Sequence, residues 1–244
     1  MQMSYRSYHK IIRSDREGVS RAAMNQPRSK YVPLRGERLF LKWTMQAGLS
    51  CRKIEETNER TPDYDLVSKF GTFPVEVKEF EPDKELIKYL DGLYSTGFGD
   101  RARTITLGKD VNAKMKKANK QLKIRSQGCL PTMLVLNDDL KVRSATDPLN
   151  IKAAFLGPDK VDVTTYRHSN PTFRERSGRG RKVYTSISAV GVLQEAFNTE
   201  VLRLIVYHNP YAKVPLLPEW ICNDYTVHRR LLFEPETFAE WVEV

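Results

Sequence analysis

The stretch that decides the fold is Thr61–Phe80, TPDYDLVSKFGTFPVEVKEF. Two runs rich in β-branched and aromatic residues, YDLVSK and TFPVEVKEF, flank Phe70-Gly71. Such runs around a glycine-containing turn predict a hairpin. Side chains two apart share one face of a strand. A turn at Phe70-Gly71 sets Asp65 opposite Glu76 and Asp63 opposite Lys78, and turns Leu66, Val75 and Val77 the other way. Two facing carboxylates repel unless a counter-charge lies between them. A hard divalent cation such as Mg²⁺ meets that need, because it takes a few carboxylate oxygens and keeps its waters. The plainer alternative is the solvated face of an amphipathic strand. The chain carries its own example of a plain acid-x-Lys triplet, Asp139–Lys141, which follows Asn137-Asp138, has no acid across a hairpin and reads as a turn.

Outward from the hairpin, GERLFLKWTMQAG (Gly36–Gly48) predicts a helix with Leu39, Phe40, Trp43 and Ala47 on its apolar face and Gly48 as C-cap. Glu37 sits at the edge of that face, where an acid is unusual, although the first turn of a helix also favours one. LSCRKIEET predicts a first strand and DKELIKYLDGLY a short helix. STGFGDRARTITLG reads as a glycine-rich basic loop. KDVNAKMKKANKQLKI predicts a helix burying Val111, Met115, Ala118 and Leu122, with lysines over the rest and Gln121 as an exposed helix former. PTMLVLND predicts a buried strand. Farther on, YRHSNPTFRERSGRGRK (Tyr166–Lys182) reads as a basic loop. VYTSISAVGVL and LRLIVYH read as strands around a short helix near Gln194, and PETFAEWVEV as a closing helix. His208 ends a strand and reads as a satisfied turn histidine.

The chain has 244 residues, 40% of them hydrophobic, which suffices for a buried core and excludes wholesale disorder. A formal charge of +10 points to a polyanionic partner, nucleic acid foremost. Cys51, Cys129 and Cys222 are far apart and odd in number, so neither a zinc site nor a disulfide frame is expected and a reducing, cytoplasmic setting fits. Residues 1–33 read as a basic arm without the apolar core of a secretory signal, and no run is long enough for a membrane span.

The order of these pieces, a GE helix, a PDYDL strand, a hairpin, a VEVK strand, a helix and a strand, resembles the PD-(D/E)XK nuclease superfamily over residues 36–137. The pattern is most similar to Holliday-junction resolvase-like and related small nucleases. The resemblance implies an α/β, restriction-endonuclease-like core, a mixed central sheet flanked by helices, over residues 34–140. Residues 141–244 would then form a C-terminal extension that completes the sheet and contacts substrate. It implies a Mg²⁺-dependent endonuclease, with Mn²⁺ able to substitute. Asp65 and Glu76 would ligate the metal with the backbone carbonyl of Val77, Lys78 would be the catalytic lysine, and Glu37 would hold a second metal or a metal-bound water. The hairpin pairing favours Asp65 as the aspartate, whereas the Pro-Asp of the superfamily's name points to Asp63. Some relatives also carry a glutamine near the site, at a place matching Gln121.

The expected partner is double-stranded or branched DNA, bound through its phosphates. The candidate contacts are Lys114, Lys117 and Lys120 on the second helix, Arg101 and Arg103, and Arg174, Arg176, Arg179, Arg181 and Lys182. A homodimer would supply one site per strand, and a nucleoid-associated place in a bacterial, archaeal or phage-infected cell would follow. The rival readings are a non-catalytic nucleic-acid-binding protein on the same fold and a structure-selective junction resolvase. A carboxylate-pair glycosidase is disfavoured by the basic charge and the strand-borne lysine.

Overall fold

The computed structural model describes residues 33–55, 61–80, 106–138, 146–157, 160–164, 172–176, 184–195, 201–232 and 240–244. The chain divides into two units, Met1–Pro33 and Leu34–Val244, and the described elements all belong to the second. In chain order they are α1 (Arg35–Gln46), β1 (Ser50–Lys53), β2 (Tyr64–Ser68), β3 (Gly71–Phe80), α2 (Lys109–Ser126), β4 (Met133–Asp138), α3 (Pro148–Leu156), β5 (Lys160–Thr164), β6 (Thr172–Arg176), β7 (Ala189–Glu195), β8 (Leu202–His208), a 3₁₀ turn (Pro218–Ile221), β9 (Thr226–Leu232) and β10 (Glu240–Glu243).

The fold is α/β around one mixed sheet of eight strands in the order β1-β2-β3-β4-β7-β8-β9-β10. β1, β2 and β3 form an antiparallel meander, and β4 joins β3 in parallel after α2. Beyond β4 the sheet continues through parallel β7, antiparallel β8, parallel β9 and antiparallel β10. β5 and β6 pair in a separate ribbon. Buried side chains form two clusters. Phe40 and Trp43 of α1 pack on Tyr64, Leu66, Val75 and Val206. Val111, Met115, Ala118 and Leu122 of α2 and Phe155 of α3 pack on Leu134, Leu136 and Val190.

The hairpin turn lies one residue earlier than the sequence suggests. Lys69 and Phe70 make the turn, and Ser68 pairs with Gly71. Ser68 explains the placement: its Oγ accepts from the Phe70 N–H at 3.2 Å and donates to the Gly71 carbonyl at 3.1 Å. Gly71 then takes φ +138°, a conformation side-chain-bearing residues rarely adopt. Moving the turn by one residue slides the pairing by two. Tyr64 faces Val75 and Asp65 faces Pro74, so Asp65 does not lie opposite Glu76. Pro74 is tolerated in this internal strand because the β4 ladder begins only at Val75.

Three other expectations are corrected. Gln194 belongs to β7, not to a helix, because β7 pairs with β8 as far as Glu195–Leu202. Thr172–Arg176 is a strand paired with β5, not loop. The C-terminal residues Glu240–Glu243 are a strand on β9, where ladder pairing outweighs a short helical pattern. All of the arm expected at 1–33 except Pro33, the helix expected at 83–94 and the Asp139–Lys141 turn lie outside the described residues. No helix among the described residues is long and apolar enough to cross a membrane.

Candidate metal and phosphodiester site

β2 begins only at Tyr64, so β3 runs on past its partner. The freed edge is closed by a side chain: Asp63 Oδ2 accepts the Val77 N–H at 2.8 Å. In an extended strand the N–H and C=O of one residue point to the same side. The Val77 carbonyl therefore lies on the edge that Asp63 covers. Extending the observed register by one step sets Asp63 against Glu76. The aspartate beside Glu76 is thus Asp63. Asp65 lies two residues along on the same face and bonds Arg125 of α2, Nη2 to Oδ2, at 2.6 Å. That guanidinium is half exposed and is held by its acid at the rim of the centre.

Glu76 is completely buried, and its Oε2 has no hydrogen-bond partner among the described residues. Among the described residues its counter-charge is Lys78, whose Nζ is in ion-pair contact with Oε1. Burial, reinforced by the Asp63 carboxylate and opposed by Lys78, pushes the Glu76 carboxyl up to about 7. A buried carboxyl oxygen without a donor is rare in folded proteins and marks a place that something else completes. Two carboxylates, a carbonyl on the same edge and an unpartnered buried oxygen fit a small hard cation.

Glu37 approaches from the other face of the sheet. Gly36 lets the start of α1 come close, since a Cβ there would meet Asn137 Cβ at 3.3 Å. Glu37 Oε2 accepts the Leu34 N–H at 3.0 Å as a helix cap. Its Oε1 takes Lys53 Nζ at 3.2 Å. Lys53 also pairs with Asp63 Oδ1 at 3.6 Å and lies 4.7 Å over the Tyr64 ring. Burial works to lower the Lys53 pKa, but Asp63 and Glu37 outweigh it and hold it above its ordinary value. Among the described residues no three His, Cys, Asp or Glu side chains are grouped so as to hold a metal ion; the Lys53 ammonium stands between Glu37 and Asp63.

No family model matches the chain, and no curated protein or solved structure matches it either. What the centre can do is therefore set by its own side chains. Lys53 and Arg125 are the site residues that sequence reading missed. Arg125 is one helical turn beyond Gln121, which was a usable signal. Gln121 itself is half-buried, and its Nε2 donates to the Thr61 carbonyl at 2.8 Å, steadying the chain just before Asp63. Of the expected phosphate contacts, Lys117 and Lys120 are exposed on α2, and Lys114 lies 5.5 Å over the Phe80 ring. Arg174 and Arg176 belong to β6. Arg101, Arg103, Arg179, Arg181 and Lys182 lie outside the described residues.

Proposed function

We propose that the chain is a divalent-metal-dependent nuclease of the PD-(D/E)XK kind, hydrolysing phosphodiester bonds in DNA. The observation that carries this is Glu76, fully buried beside Asp63, with Lys78 in ion-pair contact at Oε1 and no partner for Oε2 among the described residues. The element order supports it: a glutamate-bearing helix, three antiparallel strands, a helix, then a strand parallel to the third.

Asp63, Glu76 and the Val77 carbonyl would hold the cation, with Mg²⁺ the expected ion and Mn²⁺ its substitute. A bound Mg²⁺ supplies Lewis acidity toward the phosphate and toward water. Lys78 contributes a fixed ammonium that offsets the negative charge built up on the phosphoryl oxygens. Asp65 orients Arg125 toward a neighbouring phosphate, a shape the planar guanidinium matches in bidentate fashion. Lys117 and Lys120 extend that cationic face along α2, and the net charge of +10 favours a polyanion throughout.

The test is plasmid nicking with Mg²⁺, Mn²⁺ or chelator, comparing wild type with Glu76→Ala and Lys78→Ala, on supercoiled, linear and four-way-junction DNA. The reading requires metal-dependent cutting that either substitution abolishes. A folded protein that binds DNA equally well in chelator and never cuts any form is a binding module instead.

A further inference from the structure

The Asp63–Glu76 pair has an unusual neighbour. Lys53 ends β1, opposite Tyr64, and so rises from the face of the sheet that α1 covers. Its ammonium nevertheless reaches Asp63, whose neighbours Asp65 on β2 and Glu76 on β3 belong to the face that α2 covers. It does so by passing the edge that β2 leaves open. There it joins Glu37 from one face to Asp63 from the other. Each of these carboxylates has its second oxygen committed to a backbone N–H, Glu37 to Leu34 and Asp63 to Val77. The Tyr64 ring lies under the ammonium. A cation held by two acids and an aromatic face from three elements is a fixed charge, not a surface lysine sampling solvent.

We propose that the Lys53 ammonium is a resident second cation: it fills the position between Glu37 and Asp63, so the centre accepts one divalent ion, on Asp63 and Glu76. This rests on the nuclease reading above. The charges make the case. Three carboxylates face two ammoniums, which leaves a net negative centre able to take a single divalent ion. A second divalent ion at Glu37 would have to displace Lys53 and bear the repulsion of the first across a shared aspartate. Glu37 on this view is not a metal ligand. It positions Lys53, which screens Asp63.

The experiment is Mn²⁺ stoichiometry on the full chain, by calorimetry and by the loss of the free-ion electron paramagnetic resonance signal, with melting curves to verify folding. Wild type and Lys53→Arg should each bind one ion, and Glu76→Gln should lose it. Lys53→Met, with Lys53→Gln as a second variant of similar length, should bind two, and adding Glu37→Gln should return the count to one. Two ions on wild type, or one ion on folded Lys53→Met and Lys53→Gln alike, would overturn the proposal and leave the nuclease reading intact. No ion on wild type would overturn both.

Discussion

Two buried polar centres sit in the same sheet, one at Glu76 on β3 and the other at His208 and His228 on β8 and β9, and they respond to burial in opposite ways. The histidines stack with ring centroids 5.2 Å apart, and His208 Nε2 meets His228 Nδ1 at 3.0 Å. Burial lowers both, His208 to about 4, and the two neutral rings share one hydrogen bond, while His228 Nε2 stays buried without a hydrogen-bond partner among the described residues. Glu76 has no such partner. Its acid neighbour Asp63 makes its charge costlier, and Lys78 only partly offsets that. A neutral ring leaves a nitrogen open at the modest cost of one unmade hydrogen bond, with no charge to compensate. A buried acid left open, beside a second acid at a sheet edge, is a place prepared for a cation.

The comparison breaks most visibly in catalysis. Glu76→Ala, Asp63→Ala and Lys78→Ala should each slow metal-dependent DNA cleavage by roughly 10²–10³-fold, the cost of removing one electrostatic group from a preorganised site. His208→Phe should leave the rate per folded molecule unchanged. Initial rates on supercoiled plasmid decide both.

pH separates the two centres next. The Glu76 pKa is raised in the folded state, so the native form binds more protons than the unfolded one between about 4.5 and 7. Metal-free stability therefore falls as pH rises through that window. Glu76→Gln should raise stability near pH 8 by on the order of 1–3 kcal/mol, and much less near pH 4.5. The histidines carry the opposite sign. Their folded pKa values are depressed, so their contribution is present above about 6.5 and is lost as pH falls toward about 4. The two windows overlap between about 4.5 and 6.5, where the slopes oppose each other, so Glu76→Gln and His208→Phe should change the slope of stability with pH in opposite directions there. Urea titrations across the pH range report both slopes.

Smaller effects sharpen the site's outline. Asp65→Ala should cost no more than about tenfold in cleavage, since it frees Arg125 without touching the Asp63–Glu76 pair, an effect comparable to one charge-assisted hydrogen bond. Smallest, Lys117→Ala and Lys120→Ala should each weaken DNA binding modestly and reduce the salt slope of the affinity by about one unit. Fluorescence anisotropy across a salt series measures that slope.

The sequence carried the face of the hairpin more clearly than its register. Asp63, Asp65, Glu76 and Lys78 share one side whichever turn is chosen, because strand side chains alternate and the two registers differ by two residues. Which aspartate meets Glu76 depends on the Ser68 hydroxyl and the φ of Gly71, details below the resolution of hydrophobic patterning. The α2 stripe of Val111, Met115, Ala118 and Leu122 was legible from its helical period. Lys53 was not, because its ammonium reaches the site around a sheet edge from the opposite face. Gln194 and Glu240–Glu243 look helical locally and are strands because β8 and β9 offer them ladders.

The central claim is that Asp63, not Asp65, shares a divalent cation with Glu76. Mn²⁺ titration calorimetry on wild type, Asp63→Asn and Asp65→Asn tests it directly. The account predicts binding to wild type and to Asp65→Asn, and loss of binding in Asp63→Asn. Binding retained by Asp63→Asn and lost in Asp65→Asn would contradict it.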